Sequence, residues 1–336
     1  MKHKILLGAP PIIRDFLTYN ETIKGKSSLT VEEYFLDLQT FFRYILTVRG
    51  MATEEEFEKI DISSVDLELI KGITVSDLYA FIVFCKNDRN NSAATRARKT
   101  STLRSFFKFL SAQTKVIENN PAEMLDSPKI KQTLPKHLTL EDSINLLDAV
   151  EGSNRERDYC ILTLFLNCGI RLSELCGLNL GDISTDGKLR VTGKGNKQRE
   201  VYLNAACMKA IEDYIRVRPK EGIVATDKNA LFISRNHRRL SNKTVQLMVN
   251  NYLRRAGLGG QGYSTHKLRH TAATLMYQHG NVDVRVLKDI LGHSNLGTTQ
   301  IYTHVSDKQI KNAIDSNPLA SSKIKSKEVL KNSADE

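Results

Sequence analysis

Apolar residues recur along the first third of the chain at helical spacing. In "SLTVEEYFLDLQTFFRYILTVRG" they fall at Tyr34, Leu38, Phe41, Phe42 and Ile45, one stripe of a helix. Ser28 or Thr30 suits its N-cap, with Glu32 and Glu33 in the first turn. "TVSDLYAFIVFCKN" predicts a second helix ending near Asn87. "NNSAATRARKTSTLRSFFKFLSAQT" predicts a third, with Leu103, Phe106, Phe107 and Leu110 inward. Its cations Arg96, Lys99, Arg104 and Lys108 turn elsewhere among small residues. That leaves either a solvated face or one slim enough for a major groove.

The pattern breaks at "NPAEMLDSPKIKQTLPKHLTLED", where three prolines and several lysines replace large apolar residues. We read 120–137 as a linker between a helical domain (1–119) and a second domain (138–316), with a polar tail at 317–336. The second domain opens on a helix capped by Thr139, with Asp142 three positions on. "ERDYCILTLFLNCG" is apolar all round and predicts a buried helix. In "KLRVTGKGNKQREVYL" the alternation of Leu189 and Val191 with Val201 and Leu203 predicts a β-hairpin, with Lys194 at or near its glycine-flanked tip. "ALFIS" predicts a further short strand before the basic "RNHRR", and Ser241 caps the next helix. The fold class is therefore mainly α with a small β-sheet.

Composition narrows the partner. In 336 residues, Lys plus Arg number 49 against 38 Asp plus Glu, a formal net charge of +11. Such a surplus favours a polyanion, because each neutralised phosphate releases condensed counterions. No run is long and apolar enough for a membrane span, and Pro10 and Pro11 interrupt the N-terminal apolar stretch. Five cysteines without CxxC spacing suggest buried, reduced thiols in a cytoplasmic protein. The histidines lack metal-ligand spacing, and no metal is expected.

Candidate chemistry lies in an ordered series. Arg171 follows the apolar helix in "CGIRLSELCGL". Its guanidinium suits a phosphate, an ion pair to Glu174, or both. Lys194 could swing from its turn to protonate a leaving oxygen. His266 and Arg269 in "STHKLRHTAAT" are three apart and share a helix side, whereas adjacent His270 is read as pointing away in a structural role. His293 follows a glycine in "LGHSN", and Tyr302 lies in "GTTQIYTHV". A phenol with a pKa near 10 is a poor nucleophile until cations stabilise its oxyanion.

Arg171, Lys194, His266, Arg269, His293 and Tyr302, in that order, resemble the active site of the tyrosine recombinases (the phage integrase family). "GIRLSEL", "GKGNKQR", "HKLRHTAAT", "LGHSN" and "TTQIYTHV" are similar to its Xer-type bacterial branch. The likeness is close over 138–316 and looser in the N-terminal third, which corresponds to the family's SAM-like core-binding domain. It implies a two-domain clamp on double-stranded DNA and a 3′-phosphotyrosyl intermediate, with Tyr302 as nucleophile. Arg171 and Arg269 would hold the transition state. Lys194 would be the general acid, His266 an acid/base near the tyrosine, and His293 a phosphate donor. Bond energy is conserved, so neither ATP nor a metal or other cofactor is implied. Four protomers, identical or of two kinds, would synapse two sites, with "SDKQIKNAID" docking on a neighbour. The Xer-like role is resolution of chromosome or plasmid multimers. A phage or mobile-element integrase and a non-catalytic DNA-binding relative are the alternatives. By analogy, Arg96, Arg98, Lys99 and Arg104 in the first domain and Arg238, Arg239 and Lys243 in the second would meet DNA. The acidic segment 51–75 departs from the compact family pattern.

Overall fold

The computed structural model describes residues 8–130, 136–193, 196–279 and 282–292. The chain forms two compact units, Met1–Thr133 and Leu134–Glu336.

In the first unit the helices are α1 (Pro11–Thr22), α2 (Ser28–Val48), α3 (Leu67–Lys71), α4 (Val75–Asn87) and α5 (Ala93–Lys108). A π-helical turn, Phe109–Gln113, continues α5. Ser27 caps α2, accepting from the Thr30 N–H, so the helix starts one residue earlier than expected and Glu32 and Glu33 lie beyond its first turn. Thr74 and Asp77 form a reciprocal capping box on α4, and Ser92 caps α5. The helices close around phenylalanines. Phe16, Phe41, Phe42, Phe81, Phe106 and Phe107 are fully buried. Edge-on contacts such as Phe16–Phe106 (5.3 Å) and Phe41–Phe81 (5.1 Å) knit α1, α2, α4 and α5 together. Each such ring contributes about 1.5–3 kcal/mol through burial.

A buried ion pair, Asp37 with Lys99, lies within this unit. Asp37 on α2 is 2% exposed and accepts from Arg98 (2.7 Å), Lys99 (3.0 Å) and Thr102 (2.8 Å) of α5. A carboxylate this buried is tolerated only when its lone pairs are filled; losing one charged partner would cost about 3–5 kcal/mol. The acidic segment 51–75 is folded down. Glu58 pairs with Arg43 (2.9 Å) and Arg89, Phe57 packs on Phe84 (5.4 Å), and Asp66 caps α3.

The second unit is built on α7 (Arg155–Cys168), which is buried from Cys160 to Leu166. Around it lie α6 (Leu140–Asp148), α8 (Leu172–Gly177), α9 (Ala205–Val217), α10 (Asn242–Arg255), α11 (Thr265–His279) and α12 (Val284–Leu291). The capping box of Thr139 and Asp142 and the Ser241 cap form as the sequence indicates. Strands β1 (Lys188–Thr192) and β2 (Gln198–Tyr202) pair antiparallel, with Leu189 opposite Val201 and Val191 opposite Arg199. Leu189, Val191 and Val201 face the core. "ALFIS" does not form the expected strand. Isolated bridges, Asn179 with Ala230 and Ile233 with Arg239, hold it in place. All five cysteines are buried free thiols. Among the described residues no helix is long and apolar enough to cross a membrane, and no cluster of side chains could hold a metal.

Candidate active site

α7 ends on Gly169, whose left-handed φ of +58° turns the chain sharply into Ile170 and Arg171. A side chain at Gly169 would place its Cβ 2.9 Å from Leu291 Cδ2 and 3.5 Å from Ala272 Cβ. The turn therefore lies directly against α11 and α12. Arg171 stands at the N-cap of α8, where Glu174 Oε2 accepts from its backbone N–H at 2.8 Å.

Three guanidiniums converge on the C-terminal end of α12. Arg199 Nε donates to the Ile290 carbonyl (3.2 Å), Arg269 Nη2 to Leu291 (2.6 Å) and Arg171 Nη2 to Gly292 (2.9 Å). The last carbonyls of a helix have no partner within it and carry the negative pole of its dipole, so cations collect there. Arg269 is 2% exposed and also donates to the Gly169 carbonyl at 2.5 Å. Arg171 is more open, with its side chain 38% exposed.

Glu174 is the counter-charge. Its side chain has no exposed surface, and each oxygen is used twice. Oε1 accepts from Arg171 Nη1 (2.6 Å) and Arg199 Nη1 (2.8 Å). Oε2 accepts from Arg199 Nη2 (3.0 Å) and from the Arg171 N–H. Burial alone would push the carboxyl up. Hydrogen bonds from Arg199 and from the Arg171 backbone prevail and hold it down to about 2. Arg171 and Arg199 thus share Glu174 while Arg269 joins them on the end of α12, a gathering of guanidiniums suited to a phosphate.

On α11, His266 lies one turn before Arg269. Its Nε2 is 3.0 Å from His270 Nε2, and the rings meet edge-on. His270 therefore does not point away: at i+4 it shares the His266 face and is buried. Burial, then Arg269, Lys267 and Arg171, push the His266 pKa below the ordinary histidine value. This imidazole is neutral near pH 7 and able to accept a proton.

Of the six sequence candidates, Arg171, His266 and Arg269 are brought together here, while Lys194, His293 and Tyr302 lie outside the described residues. The residues that precede Lys194 and His293 are nonetheless at the site. Gly193 is close enough that an added Cβ would stand 3.3 Å from Glu174 Oε1, and Gly292 immediately precedes His293. Sequence reasoning missed Arg199. The signal was present, because strand alternation from Val201 puts Arg199 on the inward face, where a cation needs a buried partner.

The cations assigned to DNA separate into two kinds. Arg238 and Lys243 are exposed, Arg98 is partly exposed beside Glu33 and Asp37, and Arg104 bonds Ser127 at 3.3 Å. Arg96 is half-buried, and its Nε has no partner among the described residues. Two do not fit a DNA-facing role. Lys99 is buried on Asp37, and Arg239 turns inward to the carbonyls of Cys176 (3.1 Å) and Leu178 (2.9 Å) and the side chain of Asn179 (2.6 Å).

Comparison with known proteins agrees with this chemistry. Residues 136–309 match the phage integrase family, and residues 59–114 match the phage integrase N-terminal SAM-like domain. Tyrosine recombinase XerC of Caldanaerobacter subterraneus subsp. tengcongensis is 53% identical over 312 residues, spanning 93% of this chain and 88% of its own. Tyrosine recombinase XerD of Proteus mirabilis is 35% identical over 303 residues, 89% and 90% of the two chains. In fold, the chain is similar to the XerH site-specific recombinase bound to palindromic difH substrate in a post-cleavage complex. The TM-score is 0.69 at 24% identity, covering 86% of this chain and 80% of that one. The chain belongs to the phage integrase family. Within that family it is an Xer-type tyrosine recombinase, an enzyme of site-specific DNA recombination.

Proposed function

We propose that Tyr302 attacks a scissile phosphate of double-stranded DNA, forming a 3′-phosphotyrosyl bond as the bond to the 5′ oxygen breaks. The phenolic proton passes to neutral His266, and Lys194 protonates the departing 5′ oxygen. Arg171 and Arg269 stabilise charge on the non-bridging oxygens, with His293 as a further donor. The 5′-hydroxyl of a partner duplex then attacks the phosphotyrosine and restores the phenol. Bond energy is conserved, and the scheme requires neither nucleotide nor metal.

The observation that carries this reading is the convergence of Arg171 and Arg269 on successive carbonyls at the end of α12, directly before His293. DNA contacts are assigned to Arg96, Arg98 and Arg104 in the first unit and to Arg238 and Lys243 in the second. Two units gripping one site, and four protomers of one or two kinds joining two sites, complete the scheme. The 53% identity to a XerC enzyme supports a cytoplasmic role in resolving chromosome or plasmid multimers.

The test is a suicide duplex nicked beside the cleavage point, so that a short fragment diffuses away and the covalent complex accumulates. The native chain forms the adduct and Tyr302→Phe does not, at equal binding. Equal adduct from both proteins rejects the assignment.

A further inference from the structure

Arg199 makes contacts that the reaction scheme does not use. It lies opposite Val191 on the inward side of the hairpin, with its side chain 16% exposed. Its Nη1 and Nη2 engage both oxygens of Glu174, a two-point fork that lysine cannot reproduce. Its Nε reaches the Ile290 carbonyl at 3.2 Å. Gly292 leaves room for it: a Cβ there would stand 2.9 Å from Arg199 Cδ and 3.1 Å from Cζ. One side chain thus ties β2 to the start of α8 and the end of α12.

The consequence falls on Arg171. Glu174 is buried and needs its oxygens filled, and Arg199 takes one bond on each. Arg171 consequently gives Glu174 only one N–H of its guanidinium, Nη1, and sends Nη2 to Gly292. Without Arg199, the unsatisfied carboxylate would draw the Arg171 fork onto itself, in competition with a phosphate. The Ile290 carbonyl, three residues before His293, would lose its donor as well.

We propose that Arg199 is a positioning residue for DNA cleavage: by satisfying Glu174 and pinning the end of α12, it keeps the Arg171 guanidinium aimed at the scissile phosphate. The proposal rests on the role assigned to Arg171 above. It differs from a direct phosphate contact, because Arg199 acts through Glu174 and α12.

The experiment measures single-turnover adduct formation on the suicide duplex, together with DNA affinity across salt and thermal unfolding. Arg199→Ala should cut the adduct rate by about 100-fold, the scale expected when a catalytic group is misplaced by about 1 Å. Its affinity and salt slope should stay at the native values. Adding Glu174→Gln removes the unsatisfied charge and should restore about a tenth to a third of the native rate, a rescue expected only if the pair is coupled. Arg199→Lys, which keeps the charge and tests the fork should the alanine variant unfold, should also be slow. Failure of Glu174→Gln to rescue, a native rate for Arg199→Lys, or a salt slope lowered by about one phosphate would each overturn the proposal. If the native protein forms no Tyr302-dependent adduct, the cleavage chemistry itself is wrong, a result distinguishable from these.

Discussion

A proton acceptor serves best when neutral at working pH, and the surroundings of His266 arrange this. Burial and the charges of Arg269, Lys267 and Arg171 all disfavour its imidazolium. A ¹⁵N or ¹H titration of the free protein should place the His266 midpoint below 6.5; a midpoint at or above that value would contradict the geometry. The linkage follows: the unfolded chain binds this proton more readily, so the histidine withdraws stability as pH falls below 6.5. At this scale the sequence disclosed local pairs and concealed distant ones. Glu174 is three residues from Arg171, and their ion pair could be anticipated. Lys99 looked like a groove-facing cation because its partner Asp37 lies sixty-two residues earlier. Arg239 misled in the same way, since carbonyl acceptors around Cys176 leave no trace in a charge pattern.

Among the elements, the junction of α7, α11 and α12 sets the site. Gly169 is required twice there, for its left-handed backbone and for the approach of Leu291. Gly169→Ala should destabilise the protein by at least about 1–2 kcal/mol from the backbone term alone. Denaturant unfolding measures that loss. Adduct formation at a temperature where the variant is folded should still be slow, because Leu291 and the Gly169 carbonyl both hold Arg269. Unchanged unfolding and cleavage would remove Gly169 from the account. Helix positions and most caps were legible, since periodicity and capping residues are local signals. "ALFIS" was not: its apolar run suits a strand, but only single bridges to Asn179 and Arg239 are available to it.

On the scale of the whole molecule, the excess of positive charge predicts salt-sensitive DNA binding. Lys243 is exposed, so Lys243→Gln should lower the slope of log affinity against log salt by about one contact, or roughly 0.9. Lys99→Gln and Arg239→Gln should leave that slope unchanged and lower stability instead, because their charges are already used inside the fold. Equal loss of slope from all three would mean that the inward-facing pairs open on DNA. The family and its chemistry were legible because six reactive residues keep their order along the chain. The supporting arrangement, with Arg199 behind Glu174 and His270 against His266, emerged only from the folded geometry. The most direct measurement of the central claim is mass mapping of the covalent complex after nuclease and protease digestion. The account predicts a nucleotide joined through its 3′-phosphate to the peptide carrying Tyr302, with a free 5′-hydroxyl on the other strand end. Attachment to another residue, or through a 5′-phosphate, would contradict it.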